Sequence, residues 1–313
     1  MPVTKAQRRR AYVRLNLPWR RLMGRRTVRR RVQGVDLFLP WSHSLPDFAK
    51  RRPYYGQNLV ALARALGARQ PEGPISVLDI GANVGDSAAQ IMAATPAHVL
   101  CVEGDPYWAR YLRMNLGADS RVTIVEALLV PDDAGDHTAK AVRSSHGTTH
   151  FAIDSAASDG LPRLSVAELQ RSHPALSPLR LVKSDTDGFD VMLVPAVADA
   201  FRHDGPALFF EYDPVLSRSA TTADPYAMWD HLGTLGYEHV AVWDNTGDAL
   251  GRLRVHEAAE AARSLEPRPV HLGYDFWDVA AVRGDDSAGI AALDELMDAP
   301  FTLRGVGQAV RSR

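Results

Sequence analysis

The chain has 313 residues, 46% hydrophobic and 23% charged, with 36 Lys+Arg against 37 Asp+Glu and a formal net charge of −1. That composition belongs to a folded globular protein and excludes wholesale disorder and fibrous repeats. A single cysteine, Cys101, excludes a disulfide framework and a cysteine-rich zinc site, and no apolar run is long enough to span a bilayer.

The N-terminus is basic but no apolar segment of a secretory signal follows it, so a cytoplasmic protein is expected. Residues 1–34 carry 12 basic residues and no acid, whereas the rest of the chain carries 24 basic and 37 acidic residues, net −13. So dense a basic arm suits nucleic acid, an anionic surface or an acidic partner. A solvated arm lying on the acidic body accounts for it equally. The excess of Arg over Lys along the whole chain, 32 to 4, favours this second reading. The arm reads as helical over 5–15 and broken at Pro18.

Residues 35–39 read as a short strand ended by Pro40. Residues 41–56 lack periodicity and suggest a loop or short helical turns. The spacing of Leu59, Val60, Leu62, Ala63 and Leu66 predicts a helix over 57–66, with Gly67 as its C-cap. Beyond Pro74, short apolar strands are expected over 75–80, 99–102, 122–125, 179–184 and 207–211. Helices over 86–94 and 108–116 separate the first of them, and strands over 240–243 and 276–282 follow late in the chain. Such alternation predicts an α/β fold, a Rossmann-like doubly wound and mostly parallel sheet with both faces covered. The simplest partition is an arm and lid (1–56), one domain (57–284) and a tail (285–313).

The strongest motif follows the first of these strands. Asp79 ends an apolar run, and Gly81 and Gly85 allow backbone to approach a ligand without a Cβ in the way. The pattern is G-x-N-x-G, which is neither the dinucleotide fingerprint nor a P-loop. Glu103 ends the next strand about 20 residues on, where a carboxylate accepts both hydrogen bonds of a ribose diol. Glu103 could equally be a solvated acid ahead of a helix that Asp105-Pro106 caps. The pairing with the glycine turn favours the ribose role. A nucleoside cofactor without a pyrophosphate fits best, and S-adenosyl-L-methionine, with its sulfonium beside Asp79, is the candidate.

Residues 78–85 with Val102-Glu103 resemble the S-adenosylmethionine-dependent methyltransferases. Lys183, Asp185, Asp187 and Gly188 are similar to the K-x-D-x-E/D-G signature of the FkbM-type family, with Asp187 and Asp190 where that family usually has Glu. Phe209-Phe210-Glu211 is similar to its acidic fifth-strand end. This resemblance spans about 74–212. It implies a seven-stranded sheet in the order 3-2-1-4-5-7-6 with the last strand antiparallel. It also implies cofactor contacts at Asp79, Gly81, Asn83, Gly85, Asp86, Glu103, Gly104 and Asp105, and on the adenine side at Glu126 and Ala127. The activity implied is O-methyl transfer to a hydroxyl, or less often a carboxylate, of a small molecule, sugar or natural product.

Lys183, Asp185 and Asp187 alternate and share one face if the strand persists. They read either as an ion pair followed by an Asp-Gly turn, or as functional groups beside the methyl donor. In the functional reading Asp185 orients or deprotonates the acceptor, with Asp187 and Glu211 as helpers and Lys183 on the acceptor side. Asp185, Glu211 and Asp213 are hard oxygen ligands suited to a divalent cation, which their spacing does not demand. His146 is a second candidate base, and as plain a loop residue. Trp41, His43, Tyr54, Tyr55, Gln57 and Asn58 form an aromatic-polar set that either closes over the acceptor or simply packs. No zinc-protease, paired Cys or nucleophile-elbow motif is present.

Two function classes follow: a small-molecule O-methyltransferase, and an RNA-directed methyltransferase or nucleic-acid binder using the basic arm. The −13 body argues against nucleic acid, which the arm keeps open. Residues 1–56 also offer a surface for a homodimer.

Overall fold

The computed structural model describes residue 24 and residues 26–133, 139–143, 149–153, 161–266 and 274–302. Its first element is a hairpin of β1 (Thr27–Val32) and β2 (Val35–Pro40). The two turn residues, Gln33 and Gly34, have φ of 45° and 93°, the positive values that a two-residue hairpin turn needs. The sequence reading had put residues 27–32 in the arm, because three successive arginines hide a strand's alternation. Arg29, Arg30 and Arg31 are exposed, and Val32 buries the hairpin's end. The expected helix over 5–15 lies outside the described residues.

Two helices follow, α1 (Leu45–Arg51) and α2 (Gln57–Ala68). Gly67 lies within α2 and does not cap it. A Cβ there would stand 2.0 Å from Thr95 Oγ1, so this glycine permits close packing.

The sheet is then laid down strand by strand. Its parallel half begins with β3 (Ile75–Ile80), α3 (Asp86–Ala94), β4 (Ala97–Val102), α4 (Pro106–Leu116) and β5 (Val122–Val125). Two small pairings intervene: β6 (Leu128–Val130) with β9 (Arg163–Ser165), and β7 (Ala139–Arg143) with β8 (Thr149–Ile153). Next come α5 (Val166–Ser172), β10 (Leu179–Ser184), α6 (Asp190–Ala200), β11 (Ala207–Tyr212), α7 (Pro214–Ala220) and α8 (Ala227–Thr234). The antiparallel side is made by β12 (Tyr237–Asp244), β13 (Ala249–Arg254) and β14 (Trp277–Arg283), with α9 (Val255–Ala262) between the last two strands and α10 (Ser287–Leu296) after them.

The strand order is β13-β12-β14-β11-β10-β3-β4-β5. Strands β10, β11, β3, β4 and β5 are mutually parallel, and β14 runs antiparallel to β11. Seven of the strands keep the expected order. The eighth, β13, extends the edge beyond β12 and was not anticipated. It reads poorly as a strand because Gly251 and Arg252 interrupt its apolar pattern; at Gly251 the backbone meets Pro300 O, 2.4 Å from where a Cβ would be.

Apolar side chains fill both faces of the sheet. Leu78, Leu100, Val182, Leu208 and Trp277 face one cluster, and Val77, Val99, Leu181, Phe209 and Ala280 face the other. This two-sided burial is why the strands are apolar runs without alternation. A third cluster ties the N-terminal hairpin to α4 through Leu37, Leu39, Trp108 and Tyr111. Among the described residues, no helix is long and apolar enough to cross a membrane.

Candidate functional site

The carboxyl ends of β3, β4, β10 and β11 open into two cavities, where an α/β sheet of this order binds ligands. The first has a volume of about 330 Å³ and the second about 570 Å³. Gly81, Asn83, Asp185 and Asp187 line both, so the two are neighbours sharing a wall.

Lys183 stands directly across from Asp79 in the pairing of β10 with β3. Lys183 Nζ lies 3.0 Å from Asp79 Oδ1, donates to Gly81 O at 3.0 Å, and lies 4.0 Å from Asp185 Oδ2. Asp79 is fully buried and Lys183 is 5% exposed. Among the described residues, no other hydrogen-bond donor reaches the Asp79 carboxylate. Burial pushes Asp79 above the usual carboxylate range, partly offset by Lys183. Burial also works against the lysine's charge, but Asp79 and then Asp185 hold Lys183 above its ordinary value. Asp79 is thus committed to an internal ion pair and lines neither cavity.

The loop after β3 is shaped by its backbone. Gly81 has φ 71°, and a Cβ there would lie 2.1 Å from the Asp185 carbonyl oxygen. Asn83 has φ 50°, a left-handed value that asparagine tolerates better than most residues. In this conformation the Asn83 N–H donates to Glu103 Oε2 at 2.8 Å, while the Asp105 N–H donates to Oε1 at 2.7 Å. Burial raises Glu103 to about 7 against the pull of these two donors. Glu103, Gly104 and Ala127 line the smaller cavity with Gly81 and Asn83.

Other expected cofactor residues are placed differently. Gly85, φ 84°, faces α4, where a Cβ would meet Leu112 and Leu116 at 2.7 and 2.8 Å. Asp105 caps α4 by accepting from the Tyr107 N–H at 2.9 Å. Glu126 pairs with Arg113. Asp86, at the start of α3, lines the larger cavity, and burial lifts it to about 6.

Asp187 is a second strained position, with φ 52° followed by Gly188 at 98°. Asp190 holds this loop, accepting from the Ser184 hydroxyl at 2.6 Å and the Thr186 N–H at 3.1 Å. Asp185 is left accessible, its side chain 45% exposed, between the two cavities. Burial, with Asp185 and Asp190 nearby, raises Asp187 to about 7.

Glu211, Lys183, His43 and Tyr55 line the larger cavity, whereas Tyr54 is 64% exposed and lines neither. Burial lowers His43 to about 4, against an opposing hydrogen bond with Asn83, so its ring is neutral at physiological pH. The Leu45 N–H donates to His43 Nδ1 at 3.2 Å, and the ring meets Trp108 edge-on with centroids 5.3 Å apart. His146 lies outside the described residues. Among the described residues, no three His, Cys, Asp or Glu side chains group as a metal's ligands would.

Sequence reasoning missed Asp278, which lies opposite Glu211 on β14 and accepts from Asn58 Nδ2 at 2.9 Å. Its signal was available: it is the one acid in a strand that is otherwise apolar up to its terminal Arg283.

The chain matches no protein-family model and no curated protein sequence. Among solved structures it is similar to precorrin-6y C5,15-methyltransferase from Geobacter metallireducens GS-15, with 13% identity over 72% of this chain and 86% of that one and a TM-score of 0.37. It is similar to the fibrillarin pre-rRNA processing protein of Methanococcus jannaschii at 12% identity, covering 68% and 69%, TM-score 0.38. A third similarity is to methyltransferase FkbM from Methylobacillus flagellatus KT at 14% identity, covering 66% of this chain and 43% of that one, TM-score 0.38. At such identities, function has to be argued from the site's own residues.

Proposed function

We propose that the protein is an S-adenosyl-L-methionine-dependent methyltransferase that methylates a hydroxyl oxygen of a small molecule. The observation that carries this reading is Glu103, fixed by the Asn83 and Asp105 N–H groups at the edge of the smaller cavity, beneath a loop that admits no Cβ at Gly81. A carboxylate so held suits a ribose diol, and the open backbone suits close approach by a nucleoside. S-adenosyl-L-methionine would supply a methyl group on a positively charged sulfur.

In this reading Asp185, on the wall shared by the two cavities, orients the acceptor hydroxyl and takes its proton as the oxygen bonds to the methyl carbon. S-adenosyl-L-methionine, when bound, would give up this methyl group and leave as a neutral thioether, its sulfur keeping the electrons of the broken carbon–sulfur bond. The loop around Asp187, stapled by Asp190, fixes the in-line approach, which supplies much of the rate.

A second reading, action on RNA, is favoured by the exposed run Arg29-Arg30-Arg31 on β1. RNA affinity falling steeply with salt would support it. The first reading is tested by calorimetric titration with S-adenosylhomocysteine on the wild type and on Glu103→Ala. Micromolar binding that is lost in the variant is expected; absence of binding to the wild type would overturn the proposal.

A further inference from the structure

Among the described residues that line it, the larger cavity holds more acids than cations. Asp86, Asp185, Glu211 and Asp278 are among the acids that line it. Lys183 is the only lysine or arginine among the described residues that line it, and its charge is already met by Asp79 at 3.0 Å. The one lining imidazole, His43, is held neutral by burial.

Within this wall, Glu211 and Asp278 are cross-strand partners on β11 and β14. Side chains so placed project from one face with Cβ atoms about 4.5–5.5 Å apart, and two like charges there repel. Asp278 is 9% exposed, and its neutral Asn58 partner removes none of the negative charge. Neither Glu211 nor Asp278 forms an ion pair with any described residue. Asp86 forms none either. A further acceptor, Asn245 Oδ1, lies on a residue of the same cavity, shielded from solvent, with no donor in reach among the described residues. An unmatched acceptor and an uncompensated carboxylate pair both call for the same kind of group, a positively charged N–H donor. Among the described residues, no three of these carboxylates group as a metal's ligands would, and a cation with its charge on a larger frame suits the pair. Tyr55 and Phe209, which also line the cavity, provide aromatic surface suited to such a frame.

We infer that the methyl acceptor carries an amine, and that its ammonium is received between Glu211 and Asp278 in the larger cavity. This rests on the methyltransferase reading only in calling the ligand an acceptor; the ammonium site stands on its own geometry.

The test is calorimetric titration of the full chain, with and without saturating S-adenosylhomocysteine, using two matched pairs: glucosamine against glucose, and tryptamine against tryptophol. At least one amine is expected to bind about tenfold or more tightly than its neutral counterpart. That preference should be lost in both Glu211→Gln and Asp278→Asn, with thermal melts and the S-adenosylhomocysteine titration confirming that the variants fold. The proposal is overturned if neither amine binds, if the neutral counterparts bind as tightly, if both variants keep the preference, or if magnesium chloride alone displaces the amine at equimolar concentration. Amine binding without any S-adenosylhomocysteine binding would overturn the methyltransferase reading and leave the ammonium site standing.

Discussion

Lys183 and Asp79 face each other across the β3–β10 ladder, 3.0 Å apart and away from solvent. Removing one partner leaves a buried charge without compensation. Lys183→Met should therefore cost about 3–5 kcal/mol, whereas adding Asp79→Leu should restore most of the loss. Urea denaturation of the two variants measures both. A single variant as stable as the wild type would contradict the pairing.

Several acids near the cavities keep their protons to higher pH in the folded chain than in the unfolded one. Burial raises Glu103 and Asp278 to about 7, and Asp86 and Asp190 to about 6. A carboxyl raised in the folded state stabilises fully below its unfolded pKa and loses that contribution as pH climbs through the folded value. The ligand-free protein should accordingly lose stability between about pH 4 and pH 7, Glu103 alone contributing on the order of 3 kcal/mol. Urea midpoints across this range should fall with pH, and Glu103→Gln should flatten the slope. A midpoint that rises steadily toward pH 7 would refute the assignment.

Gly81 carries two constraints at once, a φ of 71° and a carbonyl 2.1 Å from where a Cβ would stand. Gly81→Ala should cost more than about 1 kcal/mol, since the native backbone cannot accept the methyl group unstrained. It should also abolish S-adenosylhomocysteine binding by moving the loop away from Asp185. Unchanged affinity would mean that the loop does not touch the ligand.

Trp108, on α4, packs the N-terminal hairpin onto the domain. It packs in the cluster of Leu37, Leu39 and Tyr111, with His43 and Tyr107 edge-on to its ring. Trp108→Ala should cost about 3–5 kcal/mol. Limited proteolysis should then cut first between the hairpin and α2, where the wild type resists. Equal resistance would show that the hairpin is held by other contacts.

The strands and the glycine loop after β3 could be read from the sequence, because each depends on local signals: apolar runs, turn glycines, and an acid at a strand end; the strand order came from the family resemblance. At Gly85 and Asp105 the structure adds a role in the fold that the motif does not reveal. Gly85 packs against Leu112 and Leu116, and Asp105 caps the start of α4, so packing and capping alone would call for these residues. Hairpin β1–β2 was half-hidden by its arginines, and β13 by Gly251.

What the sequence by itself determined is the doubly wound sheet and the place of its opening, since burial on both faces writes itself into every parallel strand. Tertiary structure alone decided which charges cancel. Lys183 and Asp79 lie more than a hundred positions apart, and Glu211 meets Asp278 across an antiparallel ladder closed only at the end of the chain. Charge balance depends on distance in space, and only folding brings those distances about.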